Sequence, residues 1–416
     1  MGKISDKVRY VGVNDLDKEL FEGLWPLPFG VSYNSYLIID EKIALIDTVE
    51  GGFEEEYISN IREEIGDRKI DYLVINHMEP DHSSLISFIK GIYPEVEIVT
   101  NAKAVPMIKG YQNCCMNNIH VVGEGDSLSL GSCELQFFMA PMVHWPETMV
   151  TWMPSEGTLF SGDAFGTFGA LSEDITDGYD MFCDEMTRYY SNIVGKYGTP
   201  VQTALKKLSA LDIKRICSTH GPVWEKEIAE VVNLYDRLSR YEAEHGVCIV
   251  YGSMYGNTAA AAMELAESLE RLGIPYAMHD LAGNNEDSLG VSGALRDTFR
   301  YDILAVGSPT YNNGIFPPVE TFMRGVAARL VKNRRFYAFG SYTWSGVSVR
   351  KLNEMAKELG FELIDEGGSF AQAYSREKLD MDRVASLIWH HAHPFHAAPF
   401  LLHVRMDIQI QSCADV

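Results

Sequence analysis

The sequence predicts an α/β chain of two units, and three observations predict it. Up to about residue 246, short apolar strands are paired as hairpins or separated by helices. From Val247 onward, strand and helix alternate regularly, the pattern of a parallel, doubly wound sheet. Between these patterns in importance stands a cluster: His77, Glu79, Asp81 and His82 fall within six residues, at the end of an apolar run. A length of 416 residues is too great for a typical single core, so two units are expected. The expected bounds are 1–246 and 247–392, with a tail over 393–416.

Taken in order, Tyr36–Asp47 reads as a hairpin turning through Asp40, Glu41 and Lys42. Tyr72–Ile75 is a short buried strand, and Ser83–Lys90 is expected to be helical. Strands are expected at Glu97–Thr100, Met149–Trp152, Thr158–Phe160 and Lys214–Cys217, with helices over Tyr189–Leu208 and Val231–Glu244. In the second unit the apolar run Val247–Tyr251 leads into a Gly/Ser loop and an alanine-rich helix, Thr258–Leu272. Strands at Tyr276–His279, Ile303–Val306 and Phe336–Phe339 follow, with helices between them. No Pro-rich linker separates the units, so they are expected to pack closely.

Composition narrows the function. A chain 46% hydrophobic and 22% charged has the balance of a soluble globular protein. A net charge of -23 argues against nucleic acid as a partner, because phosphate binding needs a basic face. The first residues lack the apolar core and cleavage site of a signal peptide. No uninterrupted apolar run of about 18 residues exists, so no membrane span is expected. None of the seven cysteines forms a Cys-x-x-Cys pair, which fits reduced thiols in a cytoplasm. Adjacent Cys114 and Cys115 read as structural.

Further metal-capable residues stand at the carboxyl ends of other apolar segments. His144 lies in Pro141–Pro146, Asp163 in Phe160–Phe165 and His220 in Cys217–Pro222, each flanked by small residues or proline. The seven candidates suffice for two metal ions, with Asp163 available as a bridge. Paired first-row ions with imidazole and carboxylate ligands suit Lewis-acid hydrolysis or redox chemistry. Where hydrolases with this motif usually carry a histidine, this chain has Glu79; the added negative charge favours iron over zinc.

His77-x-Glu79-x-Asp81-His82, His144, Asp163 and His220 resemble the metal motif of the flavodiiron proteins, and Asn76–Ser83 and Ser161–Phe165 match it closely. The resemblance implies a metallo-β-lactamase-like αββα sandwich followed by a flavodoxin-like doubly wound parallel sheet. It implies one iron held by His77, Glu79 and His144, another by Asp81, His82 and His220, and Asp163 bridging them. In some members water displaces the residue equivalent to His82. A tyrosine near the diiron pocket is also implied, at Tyr189 or Tyr190, although core packing accounts for both equally well. Trp145 either shapes the pocket or packs.

The second unit carries a nucleotide pattern of its own. Ser253, Met254, Tyr255, Gly256, Asn257 and Thr258 form a loop between a strand and a helix N-terminus, a phosphate cradle. It has neither Gly-x-x-x-x-Gly-Lys nor Gly-x-Gly-x-x-Gly, so a mononucleotide is favoured. Two further loops follow strand ends. One holds Ser308, Pro309, Thr310, Tyr311 and Asn312; the other holds Ser341, Tyr342, Thr343, Trp344, Ser345 and Gly346. Their aromatics can flank a flat ring and their amides can bond its edge. In this order the three loops resemble a flavodoxin-type FMN site.

The resemblance therefore implies an oxidoreductase in which FMN passes electrons to a diiron centre that reduces dioxygen to water, nitric oxide to nitrous oxide, or both. It implies a head-to-tail homodimer or a dimer of dimers, and cytoplasmic location. The cysteine pairs of a rubredoxin-like module are missing, so a separate electron donor is expected, rubredoxin or another reductase; a deazaflavin-oxidising variant is the further option. Two competing expectations are a dizinc hydrolase with an appended flavodoxin module, and an electron carrier using the flavodoxin half alone. His390, His391, His393, His396 and His403 crowd the end of the chain at irregular spacing, and no function is assigned to them.

Overall fold

The computed structural model describes residues 2–112, 117–172, 175–176, 178–283 and 289–392. Cys114, Cys115 and the segment beyond residue 392, with its three last histidines, lie outside the described residues.

The first half is built on two sheets. One has six strands in the order Val8–Tyr10, Tyr36–Ile39, Ile43–Ile46, Tyr72–Val74, Glu97–Asn101 and Ile119–Val122. The other has five: Ser127–Ser129, Glu134–Met139, Met149–Met153, Thr158–Gly162 and Arg215–Ser218. The expected hairpin is present, with Tyr36 opposite Ile46. Every residue of Ile43–Ile46, Met149–Met153 and Thr158–Gly162 is buried, as strands covered on both faces must be. Contacts tie the sheets together: Tyr36 donates to the Ser218 carbonyl at 2.6 Å and its ring packs on Phe160. The Thr151 hydroxyl donates to the Asn76 side chain at 2.7 Å.

The second half is one parallel sheet. Its order is Tyr276–Asp280, Glu244–Tyr251, Tyr301–Gly307, Arg335–Tyr342 and Glu362–Leu363, and Gly368–Ala371 also pairs with Arg335–Tyr342. In chain order this is 2-1-3-4-5, and the direction of winding reverses between the first and third strands. Alternate residues of the first strand serve two cores. Val247, Ile249 and Tyr251 face one shared with the helices Asn257–Arg271 and Met381–Ala392. Cys248 and Val250 face the other, which runs on without a break into the first half.

That continuity runs along the helix Gly290–Arg300, where Arg188 donates to the Ser292 hydroxyl at 3.1 Å, and across the amino ends of the strands. Phe299 packs on Tyr190 and Tyr241, Arg329 donates to the Ser191 and Asn192 carbonyls, and Arg334 donates to the Tyr241 carbonyl at 2.9 Å. These residues precede strands or end helices, so the amino ends of the strands abut the first half. The carboxyl ends of the strands carry the three loops. The halves pack as closely as the missing linker implies.

Several expected elements shift. Helix begins at Tyr179, not Tyr189, so Tyr189 closes the helix Tyr179–Tyr189 and Tyr190 opens a π-helical turn, Tyr190–Val194. The helix expected to reach Glu244 ends at Ser239; Tyr241 has φ 57°, and Glu244 already opens the next strand. The segment expected as one helix from Ser83 is a short turn, Pro80–Ser83, followed by Ile86–Ile92. Cys133, Cys183, Cys217 and Cys248 are free thiols. Among the described residues no helix is long and apolar enough to cross a membrane.

Candidate metal centre and flavin loops

All seven sequence candidates meet where the two sheets of the first half open at one edge. His77 follows the strand Tyr72–Val74, and Asp81 and His82 lie on the turn Pro80–Ser83, which proline starts at its first position. His144, Asp163 and His220 follow strands of the facing sheet. The side chains form two groups: His77, Glu79, His144 and Asp163; and Asp81, His82 and His220. Within each group the candidate donor atoms lie within 4.8 Å of one another.

Asp163 joins the groups. Its Oδ2 lies 2.9 Å from His144 Nε2 and 3.4 Å from His77 Nε2. Its Oδ1 lies 3.0 Å from His82 Nε2 and 3.9 Å from His220 Nε2. Glu79 reaches His144 Nε2 at 3.0 Å and His77 Nε2 at 3.3 Å. Asp81 stands 3.3 Å from the Nε2 atoms of both His82 and His220. Four imidazoles thus converge through the same ring nitrogen on three carboxylates.

Hydrogen bonds join the first group, but they do not account for the second. Both carboxylate oxygens of Asp81, both ring nitrogens of His82 and Nε2 of His220 are buried without a hydrogen-bond partner. Such atoms are costly unless something else satisfies them. A cation does so, and an imidazole–carboxylate donor set suits first-row metals. The residues therefore fit a metal pair. The electrostatics agree. Burial opposes charge on His82 and His144, yet Asp81 and Asp163 raise the first to about 9, and Asp163 and Glu79 raise the second to about 9. Burial pushes the Glu79 carboxyl up, but hydrogen bonds from His144 and His77 outweigh it and hold it well below the usual range. The pocket favours positive charge.

The three loops of the second half gather at the carboxyl ends of its strands. Gly256, at φ 82°, sets the left-handed turn into the helix Asn257–Arg271, and the Ser253 hydroxyl accepts the Ala259 N–H at 3.3 Å. Thr258 and Ser341 hydroxyls meet at 3.0 Å, tying the first loop to the third. The Thr310 hydroxyl accepts the Val347 and Ser348 N–H groups, and Ser348 donates to the Ser308 carbonyl, tying the second to the third. Met254, Tyr255, Tyr311 and Trp344 are exposed, while Ser308 and Thr258 are buried beneath them. The second loop contains a small hairpin, Thr310–Tyr311 with Gly314–Ile315, where a plain loop was expected, and Asn312 turns it at φ 47°. Ser341 and Tyr342 still belong to a strand, so the open loop begins at Thr343. Pro309, Asn257, Ser345 and Gly346 complete the group.

Comparison with known proteins agrees with both halves. Residues 31–221 match the family described as ODP family beta lactamase, and residues 249–385 match flavodoxin. Nitric oxide reductase of Moorella thermoacetica is 31% identical over 389 residues, covering 92% of this chain and 96% of that protein. Anaerobic nitric oxide reductase flavorubredoxin of Escherichia coli O1:K1 is 32% identical over 369 residues, covering 86% of this chain and 76% of that protein. Among solved structures, rubredoxin oxygen:oxidoreductase from Desulfovibrio gigas superposes with a TM-score of 0.86 at 29% identity, covering 93% of this chain and 96% of that one. The flavodiiron protein from Giardia intestinalis gives a TM-score of 0.86 at 27% identity, covering 94% and 97%. The chain belongs to the flavodiiron protein family.

Membership in the flavodiiron family favours the redox reading over the dizinc hydrolase. The structure adds residues that sequence reasoning passed over. Glu147 lies 2.9 Å from His77 Nδ1. The Ser32 carbonyl lies 2.7 Å from His220 Nδ1. The Thr219 hydroxyl donates to Asp163 at 2.6 Å. Asp47 accepts both the backbone N–H and the amide of Asn76, beside the ligand run; burial pushes it up to about 6 against the pull of His82. Glu147 and Thr219 adjoin segments already singled out, and that adjacency was their only signal. Tyr189 and Tyr190 separate. The Tyr189 ring stands 5.6 Å from His220, whereas Tyr190 packs on Tyr235 and Phe299; both hydroxyls are buried without a partner. Trp145 packs edge-on to His77 at 5.2 Å.

Proposed function

We propose that this flavodiiron protein is an oxidoreductase that takes electrons at FMN and delivers them to a non-haem iron pair, reducing dioxygen to water, nitric oxide to nitrous oxide, or both. The observation that carries this reading is the convergence of four imidazole Nε2 atoms on Glu79, Asp81 and Asp163, with the Asp81, His82 and His220 donor atoms buried and unpartnered. His77, Glu79 and His144 would hold one iron and Asp81, His82 and His220 the other, with Asp163 shared between them. His82 is the ligand least supported from behind, because its Nδ1 has no partner. When bound, the irons supply the site of gas reduction and FMN supplies electrons singly or in pairs. The chain's own residues do the rest: they fix the imidazoles, bury the carboxylates and keep bulk water out.

Ser253, Met254, Tyr255, Gly256, Asn257 and Thr258 receive the FMN phosphate at a helix N-terminus. Ser308, Pro309, Thr310, Tyr311 and Asn312, with Ser341, Tyr342, Thr343, Trp344, Ser345 and Gly346, would hold the ring. The functional division falls at residue 246, with FMN binding over 247–392. A strand of eight residues spans about 26 Å at about 3.3 Å per residue. The FMN loops lie at the carboxyl ends of the strands, whereas Arg329 and Arg334 bond the iron half at the amino ends, which supports a head-to-tail homodimer, or a dimer of such dimers, pairing one chain's FMN with its partner's irons. Exposed Leu16, Leu24 and Phe29 on the iron half, and Tyr255 and Trp344 at the FMN loops, supply apolar surface for that contact. The donor is a separate protein, rubredoxin or a reductase, and the compartment is the cytoplasm.

Metal and flavin analysis of the purified protein tests the reading. Iron in a pair, with FMN, is expected; a zinc pair would restore the hydrolase alternative, and FMN with an empty metal site would leave only an electron carrier.

A further inference from the structure

The imidazoles of the metal centre are backed unequally. His77 Nδ1 donates to Glu147 Oε1 at 2.9 Å, and both side chains are fully buried. The same oxygen accepts the Met78 N–H at 3.0 Å, while Glu147 Oε2 is buried without a partner. In the other group, His220 Nδ1 meets only a neutral acceptor, the Ser32 carbonyl, at 2.7 Å. His82 Nδ1 meets nothing.

The remaining charges do not cancel this difference. Glu79 serves one position, Asp81 the other, and Asp163 both. Asp47, another buried carboxylate nearby, accepts the Asn76 N–H and amide, and its charge bears on both His82 and His77. A carboxylate behind a ligating imidazole orients the ring and raises its basicity. Buried charges are also screened far less than exposed ones. A more basic ligand in a more negative setting stabilises the higher oxidation state.

We infer that Glu147 is a positioning residue that makes the two metal positions unequal, so that the ion held through His77 stays ferric to lower potential than the ion held through His220. The inference rests on the diiron reading above. Electrons entering a fully ferric centre then reach the His220 side first. Each step adds one electron and converts one ferric ion to one ferrous ion.

The test uses the full chain, loaded with iron-57 and FMN, and titrated without oxygen by a chemical reductant under Mössbauer spectroscopy. Iron content is read first; a wild type that holds no iron pair overturns the diiron reading and this inference with it. The loaded wild type should reduce its irons in two separated one-electron steps. Glu147→Gln keeps an oxygen acceptor for His77 and Met78 but removes the charge. The ratio of the two equilibrium constants should fall at least ten-fold, about 59 mV for one electron. Glu147→Asp should recover part of the separation. An unchanged ratio in Glu147→Gln with both irons bound overturns the role of Glu147. So does a wild type that reduces both irons in one unseparated step, a result that needs no variant.

Discussion

The metal centre and the flavin loops are built in opposite ways. His77, His82 and His220 are 0% exposed, His77 and His220 after strand ends and His82 on the turn Pro80–Ser83. Tyr255 and Trp344 are 89% and 87% exposed, on loops at the far end of a single sheet. A metal pair demands charged ligands at set distances, and only a buried, doubly covered frame holds them there. A flavin demands hydrogen bonds to a phosphate and a flat slot, which backbone loops at strand ends provide. One site is specified by side-chain identity, the other by loop position.

Asp297 in the second half sharpens the contrast. It too is buried, yet Arg296 and His279 satisfy its carboxylate with three contacts of 2.8–3.0 Å. Asp297 has its hydrogen bonds from the protein, whereas both oxygens of Asp81 are buried without one.

The largest break in the comparison should come from Asp163→Ala. Losing the residue shared by both groups should empty both iron positions and lower gas turnover by more than about 100-fold. FMN content should stay the same. Iron analysis and absorbance of the flavin check both halves of that expectation.

Asp297→Asn should leave both cofactors bound but cost about 3 kcal/mol in chemical denaturation, since Arg296 and His279 lose a buried partner. Burial pushes Asp297 up, but the His279 bond and Arg296 outweigh it and hold it below its ordinary value. Its contribution is therefore fully present above the unfolded carboxylate value of about 3.9 and lost as pH falls below it. The variant should show a flatter loss of stability under acid than the wild type.

Gly256→Ala puts a side chain at φ 82°, where nothing lies within 4 Å of the added carbon. The cost is backbone strain alone, about 1–2 kcal/mol. It should appear as weaker FMN binding with iron content unchanged. Smallest of all, Trp344→Ala should alter stability by less than about 0.5 kcal/mol, because the ring is nearly free of the protein. Flavin affinity, measured by fluorescence quenching, should still fall.

The same contrast governs what could be read before the fold was known. The seven candidates that meet in the fold were legible as a set because imidazole and carboxylate so closely spaced, or just after apolar strands, have few other uses. The second half was legible because strand–helix alternation is periodic. Supporting residues were not: Ser32 reaches His220 through a backbone carbonyl, and a carbonyl carries no sequence signal. The strands Leu20–Phe21 and Trp25–Pro26 are two residues each, too short to show alternation. The helix ending at Ser239 has neither Gly nor Pro after it; a left-handed Tyr241 stops it instead. Ser341 and Tyr342 were drawn into a strand by pairing with Gly368–Ala371, a partner that only the tertiary fold supplies.

The central claim is that the two sites form one electron path ending at a gas. Its most direct test is anaerobic. The purified protein, with iron and FMN measured beforehand, is reduced and then given nitric oxide or dioxygen in turn, with one electron donor throughout. Iron-dependent consumption of at least one gas, abolished in Asp163→Ala while FMN remains bound, is the predicted result. A fully loaded protein that consumes neither gas would contradict it.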